Sequence, residues 1–157
     1  MALKGDRNYS DGTRIDFFMN ETAERGIVVV ADDSAGSGSG AAMDQATAVV
    51  KKPDVANGSG ERPYGLLLND VVNLDLTRQH LNVYKDEVQV GGKVTVLRHG
   101  VVVTNMIESG VTPQPLTAAY FTTDGELNST STNSTRIGTW LSTKDADGYA
   151  KLEVNMA

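Results

Sequence analysis

The stretch "KVTVLRHGVVVTN", Lys93–Asn105, decides how this chain folds. It carries two valine-rich runs, Val94–Leu97 and Val101–Val103, with Arg98, His99 and Gly100 between them. Branched side chains lose rotamer freedom in a helix and pack well on a pleated surface, so both runs read as strands. His99 and Gly100 between two such runs read as a tight two-residue turn, with Gly supplying the positive φ that the turn requires. In that register Val96 faces Val103 and Leu97 faces Val102, and the stretch is expected to form an antiparallel hairpin.

On either side the same texture repeats. "YGLLLNDVVNLDL", "EVQV", "LTAAYFTT", "GELN", "RIGTWLST" and "YAKLEV" are short, apolar and bounded by Gly, Pro, Asn or Asp. Many short strands at this spacing predict an all-β barrel or sandwich. Upstream, "IDFFMN" and "RGIVVVAD" are two further strands joined by a short connection. The stretch 33–60, beginning "DSAGSGSGAAMDQATAVV", is rich in Gly and Ser and reads as a loop, with room for a strand at "AMDQATAVV". The helix candidate is "LDLTRQHLNVYKDE", where Leu74, Arg78 and Leu81 share a side, although "NVY" competes for a strand. At most one short helix is expected. Residues 1–14 are polar and without period, so they read as an N-terminal arm attached to a single β-rich domain over 15–157.

Composition removes several classes of function. Twenty acidic residues stand against 14 basic ones, a formal charge of −6, with no Lys and Arg cluster to neutralise a row of phosphates, so no nucleic-acid partner is expected. There is no cysteine, hence neither a disulfide framework nor a thiolate metal site. The apolar runs are far shorter than a bilayer span and "MALKGDRNYSDG" has no signal-peptide core, so no membrane partner is expected and the chain is expected to be made in a cytosol.

The C-terminal "WLSTKDADGYAKLEVNMA" raises the question of a calcium loop. Counted from Asp145, the fifth, sixth and twelfth places hold Tyr149, Ala150 and Met156, where an EF-hand requires an oxygen ligand, Gly and Glu. A hairpin explains the same residues. Pairing Leu141 with Leu152 and Thr139 with Val154 leaves Asp145 to Gly148 as the loop, and Trp140 then stands on the opposite face as rim packing or an interface anchor.

Other motifs lack a partner. "AGSGSGAA" has no Lys-Ser/Thr pair to make it a phosphate cradle, and no Ser sits in a nucleophile elbow. His80 and His99 have no second ligand at metal spacing, and His99 is already spent on the turn. Asp32 with Asp33 and Asp70 with Asp75 are the carboxylate pairs that a glycosidase reading would need. Sequons at Asn20, Asn128 and Asn133 would matter only in a secreted eukaryotic chain, and in "ELNSTSTNSTRIG" they read as a polar turn. No catalytic residue, metal ligand or cofactor is nominated, and binding or assembly fits better than catalysis.

The segments "FFMNETAERG", "RPYGLLLNDVVNLDL", "YKDEVQVGGKVTVLRHGVVVTN" and "IGTWLSTKDADGYAKLEVNM" together resemble head decoration, or cement, proteins of tailed bacteriophages. The resemblance covers roughly residues 15–157. It implies a small β-barrel or β-tulip-like domain, commonly a homotrimer, on the outer surface of the expanded virion head. There it would clamp major capsid protein subunits against the pressure of packaged DNA. An arm carrying Lys4, Arg7, Tyr9 and Arg14 is expected to order on the capsid and add a strand to an exposed edge. Trp140 is the expected oligomer or interface anchor. The competing reading is an adhesin or carbohydrate-binding β-sandwich that stacks sugars on Trp140, Tyr64, Tyr84 or Tyr120.

Overall fold

A computed structural model describes residues 3, 14–32, 49–73, 86–132 and 134–156. The fold class is all-β, as expected: the described residues hold twelve strands and only two single 3-10 turns, Ala56–Gly58 and Thr123–Gly125, in place of helix. Of the helix candidate at 74–87, residues 74–85 lie outside the described residues, and Glu87 begins a strand.

The strands are β1 (Arg14–Met19), β2 (Val28–Ala31), β3 (Val49–Lys51), β4 (Pro63–Leu67), β5 (Asp70–Val72), β6 (Glu87–Gln89), β7 (Lys93–Leu97), β8 (His99–Thr104), β9 (Ala118–Phe121), β10 (Leu127–Asn128), β11 (Gly138–Trp140) and β12 (Ala150–Asn155). β1, β3, β2, β4 and β7 close into a barrel, and β10, β9, β11, β12 and β8 form a five-stranded sheet beside it. β5 and β6 make a small parallel pair at the barrel's side.

The deciding stretch is not a hairpin. β7 lies between β1 and β4 in the barrel, whereas β8 pairs with β12 in the second sheet. Both edges of β7 are already occupied by the strands that close the barrel, so β8 has no edge to fold back upon. The chain instead passes straight from one sheet to the other at Arg98, whose carbonyl accepts the Met156 N–H. Gly100 does adopt positive φ, but within β8 opposite Val154. Its freedom is used in a bent strand and not in a turn.

This crossover explains why "IVVV" and "GLLL" are continuous apolar runs and do not alternate. Val29, Leu67, Val94 and Val96 join Phe17 and Met19 in one buried cluster filling the barrel. Val28, Val30, Leu66 and Leu97 point the other way, into a second core shared with Val102, Phe121, Trp140, Leu152 and Val154 of the sheet. A wall buried on both faces has no polar positions to offer. Gly65 in β4 belongs to the same tight construction, since a Cβ there would overlap the Leu97 carbonyl.

In the closing hairpin the turn is where the sequence placed it, but the strand register is offset by one residue. Trp140 pairs with Leu152 and Thr139 with Glu153. A slip of one residue exchanges the faces of a strand. Trp140 is therefore fully buried in the chain's own core and Leu141 is turned outward, 37 % exposed. The reason is the volume on offer: burying the indole removes more apolar area from water than burying a leucine.

Asp145 uses its carboxylate on the turn itself, accepting the backbone N–H groups of Asp147 at 3.0 Å and Tyr149 at 2.8 Å, while Gly148 takes φ 84°. Replacing Asp145 with Ala is expected to cost about 1 kcal/mol, the worth of hydrogen bonds of this kind. A chelator is expected to leave the unfolding midpoint of the unsubstituted chain unchanged; denaturant melts with and without EDTA check both statements.

Candidate interaction surfaces

Rigidity at the barrel's side comes from Arg25. Its backbone N–H donates to Asp70 at 2.8 Å, and its guanidinium donates to Asp70 from Nε at 3.0 Å and Nη2 at 2.7 Å. Nη1 reaches Asp86 at 3.4 Å. The hydrogen bonds to Asp70 push the guanidinium above its ordinary value against the opposing effect of burial. One arginine thus ties the β1–β2 connection to β5 and to the start of β6. Asp70, a candidate catalytic carboxylate, is committed to this clamp, and its supposed partner Asp75 lies outside the described residues.

The arm is anchored at both ends. Leu3 bridges to Thr104 at the outer edge of β8, with its side chain 2 % exposed within the sheet core. At the other end Arg14 is the first residue of β1, opposite Leu97. Lys4, Arg7 and Tyr9 lie outside the described residues. The nomination of Trp140 as an interface anchor is corrected: its ring belongs to the interior, and its Nε1 has no hydrogen-bond partner among the described residues. Of the other aromatic candidates, Tyr64 packs against Phe17 with ring centroids 4.3 Å apart, Tyr120 is half-buried in β9 and Tyr84 lies outside the described residues. His99 is exposed at the start of β8.

Two features were missed by reading the sequence. The first is a cleft of about 520 Å³ where the barrel meets β5 and β6. Ile27, Val71 and Met106 form its apolar floor, and Glu24, Glu87 and Glu126 stand among the acidic groups around it. These carboxylates are far apart in the chain, so only the tertiary fold gathers them. The second is Leu116, which is 83 % exposed and has a backbone φ of 66°. In the sequence it looked like the start of the strand "LTAAYFTT"; the strand begins two residues later.

Among the described residues no three His, Cys, Asp or Glu side chains converge on a common point, and no helix is long and apolar enough to cross a membrane. No curated protein and no solved structure matches the chain. A family described as "Structural cement protein (E217 gp24/Pam3 gp6)" matches residues 9–155. That span takes in the twelve strands of the described residues, the barrel core, the Arg25 clamp and all of the sheet core except Leu3 and Met156. The chain, a β-barrel packed against a five-stranded sheet, belongs to the structural cement proteins of phages.

Proposed function

We propose that this chain is a non-enzymatic component of the virion. It binds the outer surface of the expanded head as a homotrimer and holds neighbouring major capsid protein subunits together against internal DNA pressure. The observation that carries this reading is the family match over residues 9–155. The fold suits the task, because a shared wall buried on both faces makes barrel and sheet one stiff unit. Each contact can be weak, since many identical copies act on one closed lattice. The net charge of −6 also disfavours direct engagement of packaged DNA.

Lys4, Arg7, Tyr9 and Arg14 remain the proposed capsid-binding residues. Of the arm, Leu3 bridges to Thr104 and Arg14 begins β1, which places both on the body of the domain. Deleting all of residues 1–14 would remove a core leucine and the first residue of a barrel strand, confounding binding with stability. The sharper variant is Lys4→Ala with Arg7→Ala and Tyr9→Ala.

Purified chain added to heads lacking it is expected to saturate at a copy number in multiples of three per quasi-threefold site and to raise the temperature of head rupture. The triple variant is expected to bind at least about tenfold more weakly, as loss of a few rim charges and one aromatic contact implies, with its own unfolding midpoint unchanged. Absence of binding by the unsubstituted chain would remove the reading.

A further inference from the structure

The cleft between the barrel and the β5–β6 pair gathers more negative charge than the fold uses. Of the acidic side chains that line it, Asp70 is committed to the Arg25 clamp. Glu24, Glu87, Asp124 and Glu126 line it too, and among the described residues none of these carboxylates has a hydrogen bond or an ion pair. The cation in the lining is Lys52, whose Nζ already stands 3.9 Å from a Glu21 carboxylate oxygen. Like charges gathered without compensation oppose the compact state. Their convergence costs the free chain stability and gains it no contact.

The backbone holds these groups in place. Glu24 precedes Arg25, whose N–H is fixed on Asp70 at 2.8 Å, and Glu87 opens β6 opposite Asp70. Asp124 and Glu126 flank Gly125, where a Cβ would overlap the Val28 carbonyl. The Asp124 N–H donates to the Pro53 carbonyl at 3.0 Å, and the Glu126 carbonyl accepts the Thr122 N–H at 2.9 Å. In the apolar floor Ile27 and Val71 are buried and Met106 is half-buried. Met106 is pinned as well, its N–H on Thr104 Oγ1 at 3.0 Å and its carbonyl on the Leu127 N–H at 2.9 Å.

Two features select the occupant. Among the described residues no three carboxylates converge on a common point, so these acids suit several cationic groups held apart and not one chelated ion. The apolar floor, in a cleft of about 520 Å³, suits methylene stems. Lysine and arginine carry both parts, an aliphatic stem that lies on apolar surface and a charged end that reaches past it. The thioether of Met106 adapts to whatever shape the stem presents.

We propose that the cleft receives an extended, lysine- or arginine-bearing segment of a neighbouring capsid polypeptide. The stems of its basic side chains lie on Ile27, Val71 and Met106, and their charged ends meet Glu24, Glu87, Asp124 and Glu126. Charge complementarity selects the segment and its direction. The source of the segment rests on the cement reading; the chemistry of the cleft does not.

Trilysine tests the chemistry, and heads lacking the protein test the source. A carbon-13 label on the methionine methyl groups lets NMR follow Met106, with Met19 and Met156, buried in the two cores, as references. Trilysine at about millimolar concentration and low salt is expected to move the Met106 resonance, and trilysine with acetylated ε-amines is expected to leave it. Glu24→Gln with Glu126→Gln removes two charges at nearly constant shape. That variant is expected to bind trilysine about tenfold more weakly, the combined worth of two exposed ion pairs, without a fall in its unfolding midpoint. On heads it is expected to bind about tenfold more weakly at low salt and to match the unsubstituted chain at about 1 M salt, where exposed charges are screened.

Trilysine that leaves Met106 unmoved overturns the proposal, as does acetylated trilysine that moves it equally. So does a variant that binds trilysine or heads as tightly as the unsubstituted chain. Movement of Met106 with protein concentration alone would assign the cleft to a second copy and overturn the proposal. An unsubstituted chain that ignores heads while trilysine still moves Met106 would remove the cement reading, and the capsid source with it, and leave the cationic cleft standing.

Discussion

Trp140→Ala is expected to destabilise the chain by about 4 kcal/mol, the range for deleting a large aromatic from a packed core. At this chain length that is a fall of roughly 8 to 16 °C in the unfolding midpoint. The ring is fully buried, its strand pairs with β9 and β12, and the cluster around it includes Val102, Phe121 and Leu152. Leu141→Ala, one residue along, is expected to change stability by about 0.5 kcal/mol or less, because its side chain faces outward. The two substitutions together discriminate between the two hairpin registers, since the alternative pairing of Leu141 with Leu152 predicts the reverse ranking. Trp140→Phe is expected to recover most of the loss: the indole Nε1 has no hydrogen-bond partner, so replacing it removes an unmet donor along with some volume. Calorimetry or far-ultraviolet dichroism measures all three, as the chain has one tryptophan and its fluorescence disappears with it.

Asp70→Ala is expected to cost roughly 3 kcal/mol, the penalty for removing a carboxylate that accepts several hydrogen bonds from a buried cation. The Arg25 side chain is 11 % exposed, and Asp70 accepts three of its hydrogen bonds, one of them from the backbone. Asp86, 64 % exposed at 3.4 Å, is too solvated to take over. Asp86→Ala is accordingly expected to shift stability by less than about 1 kcal/mol. Changing both members, Arg25→Met with Asp70→Leu, is expected to recover part of the loss, since no charge is then left buried alone. A double-mutant cycle in denaturant gives the coupling, and additive effects of Arg25→Met and Asp70→Ala would refute the clamp. The same variants bear on the glycosidase reading, because they remove Asp70 for a structural reason that a stability measurement can see.

The strands were legible because their signal is local. Most of the short runs bounded by Gly, Pro, Asn or Asp hold a strand among the described residues, including "VVK", Val49–Lys51, inside the loop-like 33–60 region. Pairing was not legible. Val94–Leu97 and Val101–Val103 satisfy a hairpin template, and nothing within thirteen residues states that β1 and β4 claim both edges of β7. The offset between Trp140 and Leu141 has the same origin. Both registers alternate correctly, and the choice depends on which core has room for an indole. The cleft was hidden for a related reason, since the acidic residues that line it are remote in the chain and come to one cleft only in the folded structure.

Composition and periodicity, which sum over single residues and near neighbours, were enough to establish an all-β, cysteine-free, acidic chain with most of its strand positions. Motif-level likeness reached the cement family. Tertiary structure alone decided that the valine-rich stretch joins two sheets, that Trp140 is interior, that Leu3 is a core residue and that Leu116 stands exposed in a strained loop. Those outcomes depend on which edges and volumes remain after distant segments have packed. Such competition has no trace in local sequence, because a short window of sequence contains only one of the competitors.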